Sequence, residues 1–108
     1  MPDTASPSLD LTLGILRAAA EETRLRILAL LTEGELSVTD LTDILGQSQP
    51  RISRHLKLLV EAGLVERHRE GAWAFFRLMD RGEAARILRP MRDSLNRSDP
   101  LLFDDRTR

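Results

Sequence analysis

The feature that most restricts this chain is a pair of short amphipathic segments set almost end to end. Ser37–Leu45 places Val38, Leu41, Ile44 and Leu45 at helical spacing, and Ser48–Ala62 does the same with Ile52, Leu56, Leu59 and Val60. Gly46 ends the first, and only Gln47 stands between it and Ser48. Ser37 with Asp40 three residues on forms a capping box. Ser48 caps the second segment, Pro50 is tolerated in its first turn, and Gly63 closes it in the left-handed conformation. Two helices joined by so small a turn form a helix-turn-helix.

The second helix has an outward face of Arg51, Arg54, His55 and Lys57. Guanidinium, imidazole and ammonium donors on one face suit phosphate oxygens and the guanine edge in a DNA major groove. Gln47 and Gln49 can read adenine or contact phosphate. Ser48 and Ser53 suit phosphate, although Ser48 can serve as a cap alone. His55 has two readings, a DNA contact or a hydrogen bond that holds the helix to its own domain. A charged helix face by itself is most often only solvated; the helix before and the segment after tip the balance. From Leu64 to Leu78 the period changes to two: Val65, Arg67 and Arg69 alternate with Glu66, His68 and Glu70, and Ala74, Phe76 and Leu78 with Trp73, Phe75 and Arg77, about a turn at Glu70-Gly71-Ala72. Such a hairpin after a reading helix is a wing. Arg69 near its tip is a candidate contact to a minor groove or phosphate, and Trp73 is expected to pack against the body or a partner subunit.

Charge follows the same division. The whole chain of 108 residues carries a net −1, yet residues 47–81 hold seven basic and four acidic groups, a local +3, while residues 1–46 stand at −5. The positive excess coincides with the helix and hairpin proposed to meet DNA.

The flanking segments supply the core and a second face. Residues 1–8 are polar, with two prolines, and read as a flexible arm. Leu9–Ala20 is a helix with Leu9, Leu13, Leu16 and Ala20 in one stripe, widened by Leu11 and Ile15, enough for both the core and a partner subunit. Glu21–Glu33 is apolar nearly all round and reads as the central helix, although the break before it is weakly marked. Asp80–Asn96 is a last helix, capped by Asp80 and interrupted at Pro90 by a kink or a division into two shorter helices, with Ala84, Ile87, Leu88, Met91 and Leu95 near heptad spacing. Its Ile87, Leu88, Met91 and Leu95 are expected to join Leu9, Leu13 and Leu16 in a homodimer interface. Ser98–Arg108 reads as a tail or truncated linker.

Several function classes fall away. With no cysteine there is no disulfide, thiolate-metal or thiol-redox chemistry. No apolar run approaches the ~20 residues that span a bilayer, and the amino-terminal residues make no secretory signal, so the expected setting is cytoplasmic, without membrane. The carboxylates sit at helix starts and polar faces, Asp40 and Asp43 included, so no enzyme is expected.

The assembled motifs resemble the ArsR/SmtB family of bacterial winged-helix repressors. The resemblance lies in residues 22–28 (ETRLRIL), 34–41 (GELSVTDL), 47–59 (QSQPRISRHLKLL) and 62–65 (AGLV). It implies a mainly α fold with a small β-hairpin, a winged helix-turn-helix of about five helices plus a wing over residues 9–97. It also implies a homodimer on an inverted-repeat DNA operator, acting by steric repression. By the same resemblance His55 leans towards contact with DNA. Metal-sensing members carry a Cys-x-Cys pair where this chain has Ser37 and Thr39, or histidines in the last helices where it has none. Hydroxyls are poor ligands for soft metals, so no metal and no cofactor are expected, and any effector would be an unidentified small molecule. Asp99-Pro100-Leu101-Leu102-Phe103 is similar to the junction in longer proteins that fuse this domain to an S-adenosylmethionine-dependent methyltransferase. Membership of such a fusion, or use as a protein-assembly module, are the alternative readings.

Overall fold

The computed structural model describes residues 8–95 and 99–108. The arm expected over residues 1–8, save Ser8, and the predicted helix end at Asn96 lie outside the described residues. Along the chain run α1 (Leu9–Ala19), α2 (Glu22–Leu31), β1 (Leu36–Ser37), α3 (Val38–Leu45), α4 (Gln49–Glu61), β2 (Val65–Glu70), β3 (Trp73–Leu78), α5 (Glu83–Asp93) and α6 (Pro100–Thr107). The strands form one antiparallel sheet in the order β1-β3-β2. None of the helices is long and apolar enough to cross a membrane among the described residues.

Local chemistry accounts for most boundaries. Ser8 Oγ accepts from the Leu11 N–H at 3.1 Å and starts α1. Glu21 takes an extended conformation and its carboxylate accepts from the Arg24 N–H at 2.9 Å, so the faint break between α1 and α2 is a true corner with a glutamate as cap. The predicted capping box of α3 is present in both directions: Asp40 N–H donates to Ser37 Oγ at 3.1 Å, and Ser37 N–H to the Asp40 carboxylate at 3.0 Å. Gly46 ends α3 at φ +66°, the left-handed conformation that lets α4 start after a two-residue turn.

The core sits between α1, α2, α3, α4 and the base of the hairpin. Ile15, Ile27, Leu28, Leu41, Ile52, Leu56, Leu59, Leu64 and Val65 are its fully buried members, each contributing about 1.5–3 kcal/mol by leaving water. On α1 the buried residues are Ile15, Ala18 and Ala19, which leaves Leu9, Leu13 and Leu16 exposed along the opposite edge.

Four expectations need correction. A third strand, β1, pairs Leu36 with Phe76 and Ser37 with Phe75; two residues are too few to display alternation. The last helix starts at Glu83 and not after Asp80: Gly82, at φ +87°, is the residue before it and supplies no side-chain cap. The split expected at Pro90 is absent: the helix runs through to Asp93 and forfeits the one hydrogen bond that the proline nitrogen cannot donate. Finally, the stretch expected as a tail or linker contains α6, which packs on α2. Asp99 caps it, Arg26 donates to both oxygens of the buried Asp105 at 2.9 and 2.8 Å, and Arg108 donates to the Ile44 carbonyl at 2.9 Å.

Candidate nucleic-acid interface

Helix α4 turns Ile52, Leu56 and Leu59 into the core, and this fixes where its polar residues point. Arg51, Arg54 and Lys57 are exposed, with Gln49 and Ser48 at its amino end. Ser48 Oγ faces the Arg51 N–H at 3.4 Å, in the capping role. Gln49 donates to Ser53 Oγ at 2.9 Å, so these two form one polar unit on the flank facing the hairpin. The positive end of the helix dipole lies at the same end.

The hairpin stands beside α4. Gly71 takes φ +60° at the first of its two loop residues, and the register pairs Arg67 with Phe76 and Arg69 with Ala74. Cross-strand partners share a face, so Arg67 and Arg69 continue the face that carries Val65, Phe76 and Leu78. Between that face and α4 runs an open groove of about 530 Å³, its lining including Gln49, Ser53, Lys57 and Glu61 on one side and Arg67, Ala74 and Phe76 on the other. Arg67 was not among the residues singled out from the sequence. Its signal was available in its shared parity with Val65.

The other face of the hairpin is committed to itself. Arg77 pairs with Glu66, and Arg81 lies 3.6 Å from Glu66 and 3.8 Å from Asp80. These two arginines add to the local charge and are drawn towards carboxylates of the hairpin and of the turn after it. Arg51, Arg54, Lys57, Arg67 and Arg69 form no ion pair among the described residues, so five basic side chains of α4 and β2 are unspent. Trp73 is 61 % exposed at the wing end, so packing against the body of this subunit is not its role.

Two predicted contacts turn inward. Gln47 donates to Thr23 Oγ1 on α2 at 2.9 Å. His55 is half-buried, with Nδ1 3.2 Å from Arg24 Nη1 and 3.7 Å from Glu21 Oε2. Burial lowers the imidazole pKa below its ordinary value of 6.5; Glu21 opposes this, while Arg24, Arg51 and Arg54 reinforce it. Of the two readings open to His55, this geometry is that of a residue holding α4 to its own domain. Glu21 is held below its usual value although burial alone would raise it, because the N–H groups of Arg24 and Thr23 and the charges of His55 and Arg24 outweigh that effect. Among the described residues no group of three or more His, Asp or Glu is placed to hold a metal ion.

Of the residues expected at a subunit interface, Leu9, Leu13 and Leu16 are exposed and Ile87 and Met91 half-buried. Leu88 is 2 % exposed and belongs to the core, a correction that follows from the way α5 packs against α1. Leu95 lines a small cavity with Leu30 and Leu102, facing α6.

Comparison with known proteins gives this geometry a context. A family model described as bacterial regulatory protein, arsR family, matches residues 21–67, the span from the α2 cap to the middle of β2. The fold superposes on HlyU from Vibrio cholerae with a TM-score of 0.68 at 33% identity, covering 78% of this chain and 90% of that one. Its fold also matches the homodimeric winged helix-turn-helix DNA-binding domain of Mb0332 from Mycobacterium bovis, described as a possible ArsR-family transcriptional regulator. That match has a TM-score of 0.69 at 34% identity and covers 79% of this chain and 78% of that one. This chain belongs to the ArsR family. In sequence it is 51% identical over 69 residues to the arsenical resistance operon repressor of Escherichia coli, a match covering 63% of this chain and 59% of the repressor. The ArsR-family chain thus spans less than two thirds of that relative's length. The last two relatives are named as a possible transcriptional regulator and a repressor, which favours the regulator reading over the fusion and assembly alternatives.

Proposed function

We propose that this ArsR-family chain is a sequence-specific DNA-binding repressor that acts as a homodimer in the cytoplasm. Each subunit would lay α4 in a major groove, with half-sites of an inverted repeat roughly 34–36 Å apart. Arg51 and Arg54 would meet base edges and phosphate, Gln49, Ser53 and Lys57 the strand beside the groove, and Arg67 and Arg69 of the wing its other side. The observation that carries the reading is the set of five unpaired basic side chains of α4 and β2. The exposed ridge of Leu9, Leu13 and Leu16 on α1 supports the dimer, joined by Ile87 and Met91 of α5. Bound, such a dimer would cover promoter DNA and exclude polymerase. Arsenical and mercury repressors among the relatives carry metals in their names; with no cysteine in these 108 residues, a small non-metal effector is the fitting signal here.

The test is fluorescence anisotropy on the upstream promoter duplex and on a scrambled duplex at 50 and 200 mM salt. A dimer neutralising about 6–10 phosphates loses ~10³–10⁵ in affinity between those salts. Promoter preference with that salt dependence is the expected result. Equal or absent binding to both duplexes would overturn the reading.

A further inference from the structure

One side chain binds the corner between α1 and α2 to the recognition helix. The last four carbonyls of α1 have no partner inside the helix, and all four are satisfied from outside it. Leu16 O accepts from the Ala20 N–H at 2.8 Å and Ala19 O from the Glu21 N–H at 2.9 Å. The remaining two accept from Arg24: Ala18 O from Nε at 2.5 Å and Arg17 O from Nη2 at 3.4 Å. The third nitrogen, Nη1, lies 3.2 Å from His55 Nδ1 on α4. A guanidinium has only donors, so Nδ1 is the unprotonated nitrogen of the ring and the proton resides on Nε2. Glu21 holds the base of this fork, accepting the Arg24 N–H at 2.9 Å with its carboxylate 4.0 Å from Nη1. A planar fork rooted on α2 therefore spans acceptors on α1 and α4 at once. A lysine ammonium, a point donor on a flexible stem, cannot do so.

We propose that Arg24 is a positioning residue that couples the helix offered to a second copy of the chain to the helix offered to DNA. The proposal rests on the regulator reading above. The exposed Leu16 stands within one turn of the Arg17 and Ala18 carbonyls and Leu13 one turn before it, so any shift of α1 on subunit association moves two of the groups that Arg24 holds. The fork passes that shift to His55, which sits next to Arg54 in the middle of α4. By linkage the coupling is reciprocal: operator binding tightens the dimer by the factor by which dimer formation tightens operator binding.

Three readouts test this on the full chain: the operator-to-scrambled affinity ratio by anisotropy, dimer dissociation by sedimentation with and without operator, and the His55 titration by NMR. Circular dichroism checks the fold of each variant. Arg24→Met is expected to lower the affinity ratio on the order of ten- to a hundredfold and to abolish the tightening of the dimer by operator. His55→Leu is expected to match it, and Arg24→Met with His55→Leu to be no worse than either alone, because both remove one unit. His55→Asn, whose Oδ1 stands where Nδ1 stood, is expected to recover most of the loss. In the wild type the ratio falls as acid protonates Nδ1, the imidazole being surrounded by Glu21, Arg24, Arg51 and Arg54; in His55→Asn it does not. Losses that add, or ratios within about twofold of wild type in natively folded single variants, would overturn the proposal. Should the wild type prefer no operator, the regulator reading falls. The Arg24 contact is then judged by NMR alone: Arg24→Met must raise the His55 pKa, and an unchanged titration refutes the contact.

Discussion

Substituting Asp105 by alanine tests what fastens α6 to the domain, and its cost can be bounded from the structure. Asp105 is 2 % exposed and takes two hydrogen bonds from Arg26, whose side chain is 13 % exposed. The carboxylate beside it raises the Arg26 pKa, with burial opposing. Removing one partner of a buried pair while the other stays buried costs about 3–5 kcal/mol. The protein has a cheaper way out. An isolated helix of this length is marginal in water, and this one holds Leu101 and Phe103 exposed and Leu102 half-buried. Without the carboxylate, α6 lifts and Arg26 hydrates, so the loss is capped by the docking free energy of α6. Burying part of one leucine beside a hydrogen-bonded ion pair, less the ordering of the segment, leaves about 1–2 kcal/mol. For a domain of this size that is a fall in Tm of roughly 4–8 °C per kcal/mol.

The assay is urea denaturation followed by circular dichroism, together with amide exchange across residues 100–107. Asp105→Ala should lower the midpoint, reduce m slightly because less surface remains to be exposed, and bring those amides to the exchange rate of free chain. Arg26→Met should do the same, and the two together should cost no more than one. A loss of the full 3–5 kcal/mol with the α6 amides still protected would refute the escape argument. An unchanged midpoint with unchanged protection would refute the role of the ion pair itself.

Other perturbations address the remaining parts. Arg54→Ala should abolish preference for the operator in anisotropy while leaving the dimer intact in sedimentation. Lys57→Ala should flatten the salt dependence of DNA binding by about 0.9 per lost phosphate contact, two contacts per dimer, without altering base preference. Leu13→Glu should shift the sedimentation equilibrium to monomer with little change in the monomer's own stability, because the side chain is exposed on α1. The pH dependence of stability should show two acid-side losses. His55 and Glu21 both have folded pKa values below their ordinary ones. Each therefore contributes stability that is complete above the unfolded value and is lost as pH falls through the folded one: first below about 6.5 for the histidine, then below about 4.5 for the glutamate. Thermal melts from pH 7.5 to 3.5 read both, and His55→Asn should remove only the first.

The elements that sequence reveals here are those whose stabilising groups are near neighbours. The α3 capping box, the Gly46 stop, the Ser48 cap and the alternation of the wing are decided within a few residues, so pattern alone finds them. The corner before α2 is faint in the sequence because its cap is Glu21, outside the usual Ser, Thr, Asp and Asn preference. β1 is invisible because its partners lie some forty residues away in β3. α6 is stabilised by Asp105 on Arg26, a contact across most of the chain, and nothing local in that segment distinguishes a docked helix from a linker. At the interface the outward residues of α4 follow from its apolar face, whereas the inward turn of Gln47 and His55 depends on what α2 places opposite them. A helical wheel puts His55 at the edge of the apolar face and cannot say which neighbour it meets.

The distribution of charge explains how a chain of net −1 can serve as a DNA-binding protein. Of the seven basic groups in residues 47–81, Arg77 and Arg81 are paired with Glu66 and Asp80, which leaves the positive field on α4 and the facing edge of β2. Several acidic groups of the amino-terminal half are drawn into the scaffold: Glu21 caps α2, Asp40 completes the capping box of α3, and Asp10 and Glu22 lie in the first turns of their helices. Their charge is spent on backbone donors and helix dipoles instead of opposing phosphate. The result is an electrically asymmetric subunit; on the proposed reading its positive side would lead towards DNA, an arrangement that raises association rates and makes them salt-sensitive without requiring a basic protein. If the five unpaired side chains of both subunits all meet phosphate, the slope of log affinity against log salt is about −9. Each that reads a base edge instead makes the slope shallower, so the measured value counts how many of the five position the protein and how many specify its site.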